Sequence, residues 1–212
     1  MNSKINNLTL FFGGTFDPPH YGHALLPQMA MKILNAQKII YSIARISPHK
    51  LNKPPVHYTH RFNMLELMLK EFTNSYIDTW ELENKKNNTK GSFTIDAILR
   101  YKNENKHERL NLLVGDDQAV KLHTWKDYKE LIKISPPAIM LRKYKSKESL
   151  QREIFKKTNN AKWATYMSNQ VINISKNTLT STMIRNMPIS NLSSMHLSLH
   201  VKDYIKTHKL YH

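Results

Sequence analysis

The chain has 212 residues, 40% of them hydrophobic, no cysteine, and 32 Lys plus Arg against 16 Asp plus Glu, a formal net charge of +16. That length suits one well-buried domain and is short for two, and no apolar run approaches the roughly 18 residues of a membrane helix. The opening MNSKINN leads into LTLFF, too short for a secretory signal and without a small-residue cleavage site, while zero cysteines exclude disulfides and thiolate metal sites. The expectation is a single domain over residues 1–212, away from membranes, in a reducing cytoplasm. The positive charge suits polyanions, but basic residues are scattered without an arginine-rich tail or compact block. It reads as compositional, with the field gathering anionic substrates as a secondary effect.

In chain order the pattern is strand then helix, repeatedly. Residues 8–12 form a short apolar run closed by Gly13 and Gly14, as a buried parallel strand would be. Leu25, Leu26, Met29 and Ile33 then recur at helical spacing, residues 39–44 read as a second strand, and Phe62, Leu65, Leu69 and Phe72 form another helical stripe. Residues 76–80 look extended, 93–101 helical, 110–114 a buried strand, 138–141 another, and 171–174 a late one. A short helix from about Thr180 and a last one near 195–206 complete a C-terminal phosphate-binding and helical part, about 175–212. Residues 47–58, with three prolines, and the polar stretch 84–92 read as loops. The alternation predicts an α/β, Rossmann-like, doubly wound and mainly parallel sheet with right-handed crossovers.

In such a sheet ligands bind beyond the carboxyl ends of strands, the position held by GGTFDPPHYGH, residues 13–23. Gly13 and Gly14 allow positive φ and leave no side chain between backbone and ligand. Pro18 and Pro19 stiffen the approach to a helix start, and Gly22 lets an anion reach the first helical turn. His20 and His23, three apart, face one ligand on a helical turn. A bare H-x-G-H reads equally well as an ordinary turn, and a His-x-x-His metal pair lacks an adjacent carboxylate or thiol to complete it. Near the other end, Thr180, Ser181 and Thr182 set hydroxyls and free N–H groups at a helix start with Arg185 one turn on. That is a second anion site or a plain Ser/Thr N-cap.

The whole string resembles the nucleotidylyltransferase superfamily, and within it the N-terminal motif of bacterial nicotinate-nucleotide adenylyltransferases. Further matches run in family order. Pro48-His49-Lys50 resembles its P-P-H-K loop, with Ser47 for the first proline, and RFNML from Arg61 resembles R-x-x-M-L. Ser92-Phe93-Thr94 resembles S-Y-T, LVGDD at 113–117 resembles G-x-D, Thr124-Trp125 resembles T-W, and LTSTMIR at 179–185 resembles I-S-S-T-x-I-R. The family's R-R-P-G becomes Arg142-Lys143-Tyr144-Lys145, without the Pro-Gly turn.

The resemblance implies adenylyl transfer from ATP to nicotinate mononucleotide, with Mg²⁺ carried on the triphosphate and no metal held by a protein cage. It implies His20 and His23 as catalytic donors. Gly13, Gly14, Thr15, Phe16, Gly22, Gly115, Asp117, Thr180, Ser181, Thr182 and Arg185 would serve ATP, and His49, Lys50, Thr94, Trp125 and Arg142 the mononucleotide. Asp116 competes with Asp117 for the ribose contact or a helix cap. Trp80 and Trp163 read as packing, His57 and His60 as solvated or capping. Two alternatives stay open: another adenylyl- or cytidylyltransferase of the superfamily, such as the pantetheine-phosphate enzyme, and a basic nucleic-acid-binding protein. The second lacks an interleaved aromatic-basic motif, so no nucleic-acid partner is expected. Oligomeric state is not legible.

Overall fold

The structure is a computed structural model that describes residues 7–45, 55–83, 93–174 and 179–211. Among them, six strands make one parallel sheet: β1 (Leu8–Gly14), β2 (Lys38–Ile43), β3 (Ser75–Asp78), β4 (Arg109–Gly115), β5 (Pro137–Met140) and β6 (Val171–Ile172), in the order β3-β2-β1-β4-β5-β6. The order reverses between β1 and β4, opening a crevice at their carboxyl ends.

Strand periodicity sorts the apolar side chains onto two faces. Leu8, Leu10 and Phe12 of β1, with Ile39, Tyr41 and Ile43 of β2, join one core cluster; Phe11 and Ile40 between them join the other. The first cluster takes in the helices α1 (Tyr21–Ile33), α2 (Tyr58–Leu69), α9 (Ser181–Arg185) and α10 (Leu199–Thr207). The second takes in α4 (Thr94–Glu104), α6 (Tyr128–Ile134), α7 (Lys147–Thr158) and α8 (Ala161–Ser168). Two short helical turns, α3 (Trp80–Glu83) and α5 (Asp116–Ala119), follow β3 and β4 directly. Both faces are covered, which explains why β1 and β4 are mostly apolar, with Thr9 and Asn111 the polar residues inside their apolar stretches.

Several expected boundaries shift for identifiable reasons. Of the expected stripe on α1, Leu26 and Met29 pack on the core while Leu25 and Ile33 are exposed, and Gly22, Ala24 and Ala30 complete the inward face. Small residues let the helix lie close to the sheet, a signal that a count of large apolar residues overlooks. Extended backbone ends at Asp78, whose carboxylate accepts from the Trp80 N–H at 3.2 Å and starts α3. β5 stops at Met140, β6 at Ile172, and the last helix begins at Leu199, capped by the Ser198 hydroxyl. The pair α7 and α8 carried no strong periodic signal. They are defined by caps, Ser146 with Ser149, left-handed Asn159, and Asn160 on the Trp163 N–H.

Trp80 and Trp163 both pack against the second core cluster, as expected of them. His57 caps α2 through the Thr59 N–H. His60 is half-buried and does not cap: its Nδ1 pairs with the Tyr204 hydroxyl at 3.0 Å and joins α2 to α10.

Candidate active site

The crevice between β1 and β4 holds a cavity of about 480 Å³, within the size of a small-ligand site. Its wall gathers Gly13, Gly14, Thr15, Phe16 and His23 from the first motif and Thr94 at the start of α4. Gly115, Asp117 and Trp125 follow from β4 onward, with Arg142 after β5 and Ser181 opening α9. These residues come from six separate stretches of chain. His20, Gly22, Thr180, Thr182 and Arg185 do not line it, and His49 and Lys50 lie outside the described residues.

The first loop is built differently from its sequence reading. Neither Gly13 nor Gly14 takes a positive φ, because both still belong to β1; the left-handed residue is Phe16, at φ 50°. A Cβ on Gly13 would meet nothing within 4 Å, so this glycine does keep the cavity open. A Cβ on Gly14 would sit 2.7 Å from the Phe16 ring, so the room there belongs to phenylalanine. That ring is buried and meets His23 edge-on at 5.1 Å between centroids, bracing the imidazole.

His20 and His23 stack at 3.8 Å. The His20 backbone N–H donates to His23 Nδ1 at 3.3 Å, which puts the proton of a neutral His23 ring on Nε2. His20 is fully buried, and among the described residues neither of its ring nitrogens has a hydrogen-bond partner. Burial, and after it the charge of Arg142, pushes its imidazole down from 6.5 to about 3. It is therefore neutral at physiological pH and offers one N–H. An anion nearby would relieve both its unmet hydrogen bonding and the Arg142 charge.

Two buried charged groups that sequence reasoning passed over hold this loop. The Arg61 guanidinium, 1% exposed, donates to the carbonyls of Thr15, Ala44 and Arg45, each at 2.8 Å, and of Val56 at 3.0 Å. It ties the loop after β1 to the chain after β2 and to the entry of α2. Asp17 accepts from the Tyr211 hydroxyl at 2.8 Å and lies 3.7 Å from Arg185 Nη1. Arg61 was visible as the first residue of RFNML; Tyr211 carried no signal.

The two adjacent aspartates separate cleanly. Asp116 is buried, and its Oδ2 accepts the N–H groups of Arg142, Lys143 and Tyr144 at 2.8, 2.7 and 2.9 Å. It shapes the turn after β5 that has no Pro-Gly. Asp117 lines the cavity, and a Cβ on Gly115 would come within 2.6 Å of its carboxylate. A side chain at position 115 would push that carboxylate aside. Arg142 lies against Gly115 and donates to the Leu179 carbonyl, and it lines the same cavity as Trp125. At the other end, Phe93 caps α4 without a side-chain hydrogen bond, so the first-turn amides beside Thr94 suit an anion. Ser42, Glu81, Lys121 and Lys126 also line the cavity and were not foreseen. Lys126 is held by Asp96 at 2.9 Å. Thr180 caps α9 through the Met183 N–H at 3.2 Å, and Ser181 donates to the Pro18 carbonyl at 2.9 Å, joining the late motif to the first.

Among the described residues, no group of three or more His, Asp or Glu side chains is placed to hold a metal ion, and no helix is long and apolar enough to cross a membrane.

Comparison with known proteins gives the family and the fold. The family model described as cytidylyltransferase-like matches residues 11–187. A curated relative from Borreliella afzelii, named "Probable nicotinate-nucleotide adenylyltransferase", is 30% identical over 94% of both chains. Another of the same name from Chlorobium phaeobacteroides is 35% identical over 62% of this chain and 66% of its own. The solved structure of Plasmodium falciparum nicotinic acid mononucleotide adenylyltransferase complexed with NaAD superposes with a TM-score of 0.72, at 20% identity, over 96% of this chain and 97% of that one. At that identity the likeness shows the fold; the sequence matches show the family. The chain belongs to the cytidylyltransferase-like family and, within it, to the nicotinate-nucleotide adenylyltransferases.

Proposed function

We propose that the cavity transfers the adenylyl group of ATP to nicotinate mononucleotide, with ATP along Gly13–Thr15, Gly115, Asp117 and Ser181 and the pyridine against Trp125. The observation that carries this reading is that one cavity gathers the first motif, Gly115 with Asp117, Thr94, Trp125 and Ser181. A mononucleotide phosphate oxygen attacks the α-phosphorus of ATP, the bond from that phosphorus to the bridging oxygen breaks, and pyrophosphate leaves. The attacking group arrives ionised, so no covalent protein intermediate is needed, and the protein positions charges and neutralises them.

His23, with its proton on Nε2, donates to a triphosphate oxygen as charge builds; His20 supports it from below and donates if the loop opens to phosphate. Arg142, which lines the same cavity and lies against Gly115, adds positive charge there that suits the phosphates of either substrate. Arg185 turns from Asp17 to the pyrophosphate end, and the first turn of α4 receives the mononucleotide, with His49 and Lys50 completing that side. Magnesium, expected with ATP, would supply charge neutralisation at the triphosphate beside the donors of His23 and Arg142.

The test is pyrophosphate release from ATP and Mg²⁺ with nicotinate mononucleotide, nicotinamide mononucleotide or phosphopantetheine as acceptor. Release with the first at least tenfold faster than with the others is expected. Preference for phosphopantetheine would overturn the acceptor assignment.

A further inference from the structure

Asp17 is the only acidic residue in GGTFDPPHYGH, and it is 6% exposed. Three distant parts of the chain converge on it. Its Oδ1 accepts from the Tyr211 hydroxyl at 2.8 Å and from the Val56 N–H at 3.4 Å. Arg185 Nη1 lies 3.7 Å from Oδ2 and also donates to the Asp17 carbonyl. Arg61 is the other cation acting on the same Asp17–Tyr211 pair. Burial, then the Asp17 charge beside it, holds the Tyr211 phenol above its ordinary range, so it stays protonated and donates.

We infer that Tyr211 is a positioning residue for adenylyl transfer: its hydroxyl holds the Asp17 carboxylate so that Arg185 can pass from the phosphate loop to the triphosphate. This rests on the role proposed above for Arg185. That guanidinium has two claims on it. In this structure it is engaged by Asp17 and, through Nη2, by the Thr182 hydroxyl at 3.2 Å. Ser181, on the same helix, already faces the cavity.

A triphosphate drawing Arg185 forward strips a buried carboxylate of a cation, and such a carboxylate is costly unless other donors remain. The Tyr211 hydroxyl and the Val56 N–H are those donors, and the hydroxyl is the shorter bond. Remove it, and Asp17 depends more heavily on Arg185, which then yields less readily to ATP. The effect falls on triphosphate affinity and on turnover. The mononucleotide, which meets Trp125 and the start of α4 at the other end of the cavity, is spared.

The test uses the full chain with Tyr211→Phe, Asp17→Asn and both together. Affinity for a non-hydrolysable ATP analogue is measured by calorimetry without acceptor, beside steady-state constants for each substrate and thermal melting. Tyr211→Phe is expected to weaken analogue binding on the order of tenfold, the lower range for losing a hydrogen bond to a charged group, with the mononucleotide KM within about twofold of wild type. Asp17→Asn removes the charge that competes for Arg185. On that background, or on Arg185→Gln if Asp17→Asn does not fold, Tyr211→Phe is expected to change analogue affinity by less than about twofold. Wild-type affinity in Tyr211→Phe, with or without a lower melting temperature, overturns the inference and leaves Tyr211 as packing. So do effects that multiply in the double variant. If the wild-type chain releases no pyrophosphate with nicotinate mononucleotide, the acceptor assignment fails, while analogue binding still decides the role of Tyr211.

Discussion

Replacing Arg61 by Met tests how far one buried cation holds the active-site loop. Met replaces the aliphatic stem of Arg but not its guanidinium, so four hydrogen bonds to the carbonyls of Thr15, Ala44, Arg45 and Val56 are lost. Hydrogen bonds to a charged group are each worth about 1.5–3 kcal/mol net, so four would sum to about 6–12 kcal/mol. Against this stands the cost of holding a guanidinium that is 1% exposed, several kcal/mol. The balance is a destabilisation of about 3–5 kcal/mol, the range for breaking a buried charged network. Arg61→Lys keeps the charge but has three tetrahedral donors and no planar fork, so it should fall between wild type and Met. Urea unfolding gives the stabilities. Pyrophosphate release, measured where each variant is folded, should fall at least about tenfold for Met, because Thr15 and the chain beyond β2 no longer share an anchor. A Met variant within about 1 kcal/mol of wild type and with unchanged turnover would refute this account of the loop.

His23→Ala should reduce turnover on the order of 100- to 1000-fold, the usual loss for a preorganised donor; a folded variant with near-normal kcat would remove His23 from the mechanism. Trp125→Ala should raise the mononucleotide KM far more than that for ATP, and equal effects on both would mark the ring as structural. His20 links stability to pH: its folded pKa of about 3 lies below the ordinary 6.5, so the unfolded chain binds the extra proton in between. The stability that depends on a neutral His20 is fully present above about pH 6.5 and is lost as pH falls toward 3, at up to about 1.4 kcal/mol per pH unit. Urea unfolding from pH 7 to 4 should therefore be steeper for wild type than for His20→Gln, and parallel curves would contradict the burial of that ring.

Much of the sheet was legible because its central strands are buried on both faces, so Leu8 to Phe12 and Leu110 to Val114 are mostly apolar, broken only by Thr9 and Asn111. The motif residues that meet in the cavity were legible for a different reason: phosphate chemistry restricts them to glycine, histidine and hydroxyl side chains at helix starts. What escaped was the support behind them. Gly14 looked like a ligand contact, yet it makes room for Phe16, and nothing in a local string says which neighbour fills a glycine's missing side chain. Asp116 and Asp117 were indistinguishable until backbone N–H groups 26 to 28 residues away were seen to converge on one of them. Tyr211, 194 residues from the carboxylate it meets, belongs to the same class: its role is a property of tertiary distance. The helices α7 and α8 were missed because their buried positions, Leu150, Ile154, Ala164 and Met167, are sparse among charged and polar residues.

The crevice where the strand order reverses has a thermodynamic side. Its walls come from stretches as far apart as Gly13 and Ser181, so a nucleotide lying in it acts as a removable crosslink between segments that the backbone joins only through long excursions. Binding of this kind favours the folded chain by RT ln(1 + [L]/Kd), about 2.7 kcal/mol at a hundredfold excess over Kd. In a cell that keeps ATP well above its dissociation constant, the protein is therefore harder to unfold and to proteolyse than it is in dilute buffer, and a fall in nucleotide supply shortens its lifetime as well as its turnover.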